Sequence, residues 1–302
     1  MSRAAVVANP TRHRGHARIR AAVCAAMARR GWDEPLWLET TADDPGAGMA
    51  RMAAQARVDL VLASGGDGTV TACAATLAGS GIPLAVLPAG TGNLLARNLG
   101  LPMAFDDAVT VALTGADRYL DLGIANGRHF LVMAGIGFDA RALDSSQRLK
   151  KHLGWAAYYL AALGHLRDKP IRVLLRADSR PAVDLRASAV IIGNVGSLPA
   201  GIALLPDARP DDGLLDVVAV TAQGLAGWMA VGTQLLLRRG SAQIARMTFR
   251  ELHVDLEAEQ PWQIDGEPMG RAGQLTITVQ AGQLVLRGPA LRPGSRAAPG
   301  VR

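Results

Sequence analysis

Only two cysteines occur in this sequence, and aromatic residues make up 4% of it. Cys24 and Cys73 both sit in alanine-rich stretches, so no disulfide framework is expected, and the pair reads as small core residues in a reducing compartment. Zinc-ligand spacing is absent, as are a G-x-x-x-x-G-K-[ST] loop and a G-x-S-x-G elbow, which excludes a zinc module, a Walker-type P-loop and an α/β serine hydrolase. The few aromatics are not interleaved with any basic run, which argues against nucleic acid as a partner. No segment offers the roughly 20 predominantly apolar residues of a spanning helix. The longest uncharged run, 217–237, is broken by Thr, Gln and Gly. The opening MSRAAVVANP turns polar too soon for the core of a signal peptide, so a cytosolic protein that at most touches a membrane surface is expected. Acidic residues are outnumbered, 26 against 32 Lys and Arg, for a net charge of +6. That excess favours acidic partners such as nucleotide phosphates or anionic lipid head groups.

What is present is a long, apolar chain: 49% hydrophobic over 302 residues, enough for two cores. Its organising stretch is DLVLASGGDGTVT, 59–71. An apolar run ends at Ser64 and is followed by Gly65, Gly66, Asp67, Gly68 and Thr69 before an alanine-rich helix. Glycines without Cβ allow a ligand to approach the backbone amides, and those amides together with a helix N-terminus suit a phosphate. The Asp67 carboxylate in their midst fits if a divalent cation lies between it and the phosphate. An ordinary strand-to-helix corner is the alternative reading of the same residues.

In chain order, strands are expected at 4–8, 36–39, 60–63 and 82–87, and helices at 16–29, 47–57, after Thr69, at 94–99 and at 106–113. This alternation indicates βαβ units: a doubly wound, mostly parallel α/β sheet whose ligands gather at the carboxyl ends of strands. The loops at Asn9, Thr40, Gly65 and Pro88 all lie at such ends. Beyond them the texture changes. Asn126-Gly127, the dipeptide best suited to a two-residue hairpin, joins strands 119–125 and 128–134. Further strands follow at 171–177, 183–193, 214–221, 252–256, 274–279 and 283–287. These imply a mainly antiparallel β-sandwich domain. The expected division is 1–125, 126–290 and a tail of 291–302. Two helical segments, 148–166 and 225–239, carry basic residues at one end and bulky apolar ones along their length. Leu153, Trp155, Tyr158, Tyr159 and Leu163 suit an acyl chain, a bilayer or a core equally.

Gly135 to Ala140 fits G-x-G-x-x-A, but it follows a hairpin and lacks the acidic residue a dinucleotide site needs, so it is read as a structural turn. Two acidic turns remain. Arg209 to Asp216 places carboxylates before a strand, where they and carbonyl oxygens can converge on a hard cation, and Gln263 to Pro268 is the second. Self-capping β-turns are the alternative for both.

Taken together, ANPTRHRG, SGGDGT, LPAGTGN with LARNLGLP, YLDLGIANG, FLVMAGIGFDA, KKHLGWAAYYLAAL, DDGLLDV and IDGEP resemble, in order, the bacterial diacylglycerol kinase and sphingosine kinase family of lipid kinases. GGDGT alone would be shared with NAD kinases and phosphofructokinase-like proteins. The resemblance implies transfer of the γ-phosphate of ATP to a lipid hydroxyl with Mg²⁺, the nucleotide lying between the domains. It assigns ATP contacts to Asn9, Pro10, Thr11, Arg12 and His13, to Thr41 or its neighbour Thr40, to Gly65, Gly66, Asp67, Gly68, Thr69, Val70 and Thr71, and to Thr91. It assigns Mg²⁺ to Asp212 and to the carbonyls of Arg209 and Leu214, and a cation and water network to Asp67, Asp121 and Asp265. Glu267 matches the base for the lipid hydroxyl, making Asp67 and Glu267 the expected catalytic residues. Family members often carry Asp after the Asn of the Gly-Thr loop, where this chain has Leu94. The implied setting is the inner face of a membrane with peripheral contact, and a homodimer stays open. The rival readings are a soluble-substrate kinase of the NAD kinase type and a catalytically inactive, nucleotide-dependent lipid sensor.

Overall fold

Strand β1 (Ala4–Ala8) is buried along its whole length, as an interior strand of a sheet covered on both faces must be. In the computed structural model, which describes residues 2–12, 16–137, 169–196, 204–222 and 244–290 with Gly227 and Thr233, β1 opens the first of two units. A 3₁₀ turn (Pro10–Arg12) and α1 (His16–Ala28) lead to β2 (Leu36–Glu39). Then come α2 (Ala47–Gln55), β3 (Leu60–Gly65), α3 (Asp67–Leu77), β4 (Leu84–Pro88), α4 (Leu94–Asn98), α5 (Phe105–Thr114) and β5 (Ala116–Ala125). Strand β3 pairs in parallel with β1 and β4, and β1 pairs in parallel with β2. On one face of this sheet Val6, Leu60, Leu62 and Leu87 pack with Val23 and Met27 of α1 and Val109 and Leu113 of α5. Helices α2 and α3 pack together against β1 and β3. A fully buried Leu such as Leu62 contributes roughly 1.5–3 kcal/mol, so the two-sided core holds the carboxyl edge of the sheet rigidly.

The second unit comprises Gly123–Gln280. It contains β6 (Arg128–Phe130), β7 (Met133–Gly137), β8 (Ile171–Ala177), β9 (Val183–Ala187), β10 (Ala189–Gly193), β11 (Leu215–Val220), β12 (Ile244–Phe249), β13 (Glu251–Ile264) and the larger part of β14 (Glu267–Gly288). The pairings between these strands that the described residues form, from β6 with β5 to β13 with β14, are antiparallel. Alternate residues from the strands (Val173 and Leu175, Val190 and Ile192, Leu252 and Val254, Leu275 and Ile277) fill one core, the period-2 signature of a sandwich. Asn126 (φ 45°) and Gly127 (φ 78°) form the hairpin turn between β5 and β6. The positive φ at both positions is what a type I′ turn requires.

The structure differs from the sequence expectation at several places, among them the strands expected at 274–279 and 283–287, which form the one strand β14. The strand expected over 183–193 is two strands, because at Ser188 the chain changes partner, from β8 to β7 and β11. The Ser188 hydroxyl donates to the Ala222 carbonyl there, at 2.6 Å. The strand expected over 128–134 breaks at Leu131 and Val132. Gly135 to Gly137, read as a turn, run inside β7. Within the range expected as the second domain, 126–290, the described residues Ala281 to Ala290 group with the first unit, where Leu286 and Arg287 pair in parallel with β4. The helical segments expected at 148–166 and 225–239 lie outside the described residues, apart from Gly227 and Thr233. Among the described residues no helix is long and apolar enough to cross a membrane.

Candidate active site

The loops after β1, β2 and β4 at the carboxyl edge of the parallel sheet each begin with one more ladder-like bond. The Asn9 N–H donates to the Ser64 carbonyl (2.9 Å), Thr40 to Ala8 (2.9 Å) and Ala89 to Gly65 (3.0 Å). The loops after β1, β2, β3 and β4 therefore leave the sheet side by side. From β1 the chain goes to β2 on one side and later to β3 on the other, so the strand order reverses between the Asn9 loop and the glycine loop. In open α/β sheets such a reversal opens the crevice where ligands bind.

The two glycine loops meet backbone to backbone. A Cβ on Gly90 would lie 2.7 Å from the Gly66 Cα and 2.9 Å from Asn93 Oδ1, so no side chain fits at residue 90. The Asn93 side chain closes the β4–α4 turn on itself. Its Oδ1 accepts from the Gly90 N–H (2.9 Å) and its Nδ2 donates to the Gly90 carbonyl (2.8 Å). Asn93 itself is in the left-handed region (φ 47°), which asparagine tolerates. Across the junction, Asp67 Oδ1 accepts the Leu94 N–H at 2.6 Å, taking the capping role that Asn93 has given up. Burial raises the Asp67 carboxyl above its ordinary value, opposed by the backbone hydrogen bonds of Leu94, Asn93 and Leu95. Gly68 is different: exposed, in the first turn of α3, with nothing within 4 Å of where a Cβ would be. In the neighbouring loop Asn9 Oδ1 accepts from the Thr11 N–H (3.0 Å) and hydroxyl (2.7 Å), which shapes the 3₁₀ turn.

In the second unit, the Leu214 N–H donates to Asp212 Oδ1 at 3.0 Å, an Asx-type turn that leads into β11. Asp216, half-buried in β11, has its carboxyl pushed up to about 6 by burial and by the charges of Asp212 and Asp207. A carboxyl raised from 3.8 favours the fold when protonated: the gain is complete below pH 3.8 and is lost as pH rises through about 6. In EDTA at pH 7.5, Asp216→Asn should therefore melt higher than wild type by about 2 °C. The difference should vanish near pH 4; a gap of the same size at both pH values would refute the charge argument.

Comparison with known proteins divides the chain near the same point but keeps residues 281–287 with the second part. Residues 3–125 match the family described as diacylglycerol kinase catalytic domain, and residues 132–287 match the YegS C-terminal NAD kinase beta sandwich-like domain. A Pseudomonas aeruginosa protein described as "Probable lipid kinase YegS-like" is 35% identical over 292 residues, covering 91% of this chain and 94% of its own. The chain belongs to the diacylglycerol kinase family. A Mycobacterium tuberculosis diacylglycerol kinase is 37% identical over 168 residues, 53% of this chain; that match spans only about half of the relative's length, 54%. The crystal structure of a diacylglycerol kinase from Bacillus anthracis str. Sterne has the same fold, with a TM-score of 0.75 at 23% identity over 98% of both chains.

For this member of the diacylglycerol kinase family, the structure sorts the residues singled out in the sequence. Asn9 to Arg12, Gly66 and Thr91 lie in the carboxyl-edge loops, Asp67 and Gly68 open α3, and Gly65 ends β3. Thr41 is exposed, its hydroxyl accepting the Asp44 N–H (3.1 Å), while Thr40 is buried. Thr69 and Val70 are 4% exposed, so their side chains belong to the core, and Thr71 is half-buried on α3. His13 lies outside the described residues. Arg209 and Asp212 are exposed and Leu214 is half-buried, all in the turn before β11. Asp121 is 2% exposed and accepts the Gly282 N–H at 2.7 Å. Glu267 is exposed at the start of β14. Among the described residues, no three His, Cys, Asp or Glu side chains converge as a metal set. Two residues were given no role from sequence: Asn93, whose turn-closing bonds only the fold reveals, and Asn194, which follows β10 as an ordinary turn former would.

Proposed function

We propose that the chain is a lipid kinase that transfers the γ-phosphate of ATP to a lipid hydroxyl. The observation that carries this reading is the junction of the two glycine loops at the strand-order reversal, where backbone amides and the open face of Gly68 are suited to phosphate oxygens. The names of the relatives point to a lipid as acceptor. Asp207, Asp212 and Asp216 concentrate negative charge around the β11 turn, which suits a divalent cation. Asp212, with the carbonyls of Arg209 and Leu214, is assigned to hold Mg²⁺, which supplies charge neutralisation on the phosphates when bound. Asn9, Thr11, Arg12, Thr41 and Thr91 are assigned to orient the nucleotide. Glu267 takes the proton of the lipid hydroxyl as its oxygen bonds to the γ-phosphorus; the bond from that phosphorus to the bridging oxygen breaks and ADP leaves.

The test is incubation of the purified chain with Mg²⁺, γ-labelled ATP and a panel of lipids in mixed micelles, alongside NAD and sugar phosphates. Label is expected in one lipid class in the organic phase. Label confined to a water-soluble product would replace this reading with the soluble-substrate kinase, and ATP binding without transfer would replace it with the sensor. Leu94, the departure that motivated the sensor, contributes a backbone N–H to Asp67, a bond that needs no particular side chain at this position.

A further inference from the structure

Leu131, Val132 and Met133 join β6 to β7 as a buried segment, exposed by 2%, 3% and 6%. A buried stretch that leaves a strand must find partners for its N–H and C=O groups from elsewhere. Here two side chains and their own main chains supply all six. The Asp265 carboxylate accepts all three N–H groups at 2.9 Å each, Leu131 on Oδ2 and Val132 and Met133 on Oδ1. The Asp265 N–H donates to the Met133 carbonyl (2.9 Å). Asn194 completes the set, its Nδ2 donating to the Leu131 carbonyl (3.1 Å) and its N–H to the Val132 carbonyl (2.9 Å).

Asp265 (φ 47°) and Gly266 (φ 87°) are also the two turn residues of the hairpin from β13 to β14, whose first pair is Ile264 with Glu267. The hairpin tip is thus tied to the β6–β7 segment by both the main chain and the side chain of Asp265. It is braced a second time where the Gly266 N–H donates to Oε1 of the buried Gln263, at 2.8 Å. A carboxylate offers about four acceptor positions, and three of these are used by backbone amides here.

From this geometry we infer that Asp265 is a positioning residue for Glu267, with Asn194 as its support, and that it is not a member of the cation network. The inference rests on the kinase reading, in which Glu267 is the base. In its terms, the carboxylate at 265 fixes where the carboxylate at 267 stands, and the two acids act in series.

Asp265→Asn is the decisive variant, because asparagine keeps the left-handed turn conformation and the size but replaces one acceptor oxygen with a donor. It should lower kcat by between about ten- and a hundredfold, the usual effect of loosening a catalytic group by an ångström or less. The Mg²⁺ activation constant and the KM for ATP should stay within about twofold of wild type, since an effect through Glu267 touches neither ligand. In a background of Glu267→Gln, adding Asp265→Asn should change the residual rate no further, because residues acting as one unit are not additive. Amide exchange should become faster at Leu131, Val132, Met133 and Gly266, a readout that needs no turnover. An unchanged kcat, a tenfold rise in the Mg²⁺ requirement, a further loss in the double variant, or unaltered exchange would each overturn the inference. Should Asp265→Asn not fold, Asn194→Ala removes a single donor and must lower kcat in the same direction, with Mg²⁺ dependence unchanged. Failure of the wild-type chain to phosphorylate anything would refute the kinase reading alone, and the exchange experiment would still decide the Asp265 cradle.

Discussion

Glu267→Gln should reduce kcat for phosphate transfer by about a thousandfold while leaving the affinity for ATP and the melting temperature close to wild type. A positioned general base contributes typically 10²–10⁴-fold, and glutamine keeps the shape of glutamate but cannot take up a proton. The separation of effects follows from location. Glu267 is exposed, at the first position of β14 and on a braced hairpin, so the substitution opens no cavity and leaves no buried group unpaired. Exposed substitutions of this kind usually change stability by under about 0.5 kcal/mol. The residues assigned to the nucleotide lie in the first unit, whereas Glu267 belongs to the second. Calorimetric titration with ATP and single-turnover kinetics on the same preparation separate binding from chemistry. A variant that turned over at the wild-type rate would remove Glu267 as base, and one that lost ATP binding would make it a nucleotide ligand.

The parts of the fold that could be read from sequence are those whose signal is local. β1 announces itself as an uninterrupted apolar run because both faces of its sheet are covered. Asn126-Gly127 fixes its hairpin because few residues accept positive φ at both positions. The glycine loops were visible as loops, since glycines cluster where backbones or ligands come close. What could not be read depends on partners distant in the chain. Leu284, Val285 and Leu286 are all buried, the pattern of a strand covered on both faces, yet nothing local says that they return to β4, some 200 residues earlier. Ser188 looks like any strand residue until its hydroxyl is seen to bind Ala222 at a change of sheet partner. The acidic residues show the same limit. For Asp265 and Asp121, the amides that donate to them, those of Leu131, Val132 and Met133 and of Gly282, come from distant parts of the chain. Leu94 read as a missing carboxylate, whereas its contribution is a main-chain N–H, which no side-chain identity reveals.

Alanine at two glycines should have opposite effects on stability and the same effect on nucleotide binding. At Gly90 the new Cβ meets backbone, the Gly66 Cα, and the turn-closing oxygen of Asn93, and neither is the free end of a flexible chain. The two loops must separate, so Gly90→Ala should lose stability by roughly 1–3 kcal/mol, as overpacking does, and weaken ATP binding by about a hundredfold. At Gly68 the Cβ meets nothing, and the residue is helical, so alanine should raise helix stability by up to about 1 kcal/mol. If the exposed amide edge at Gly68 is where phosphate oxygens approach, the same methyl group stands in their way. Losing one hydrogen bond to a charged oxygen costs about 1.5–3 kcal/mol, which is roughly ten- to a hundredfold in affinity. Thermal melts and ATP titrations on both variants test the pair. A Gly68→Ala protein that is more stable and binds ATP poorly would mean that glycine there serves the ligand at the expense of the helix. One that is more stable and binds ATP as wild type does would move the phosphate away from this turn, towards the Asn9 loop on the other side of the strand-order reversal.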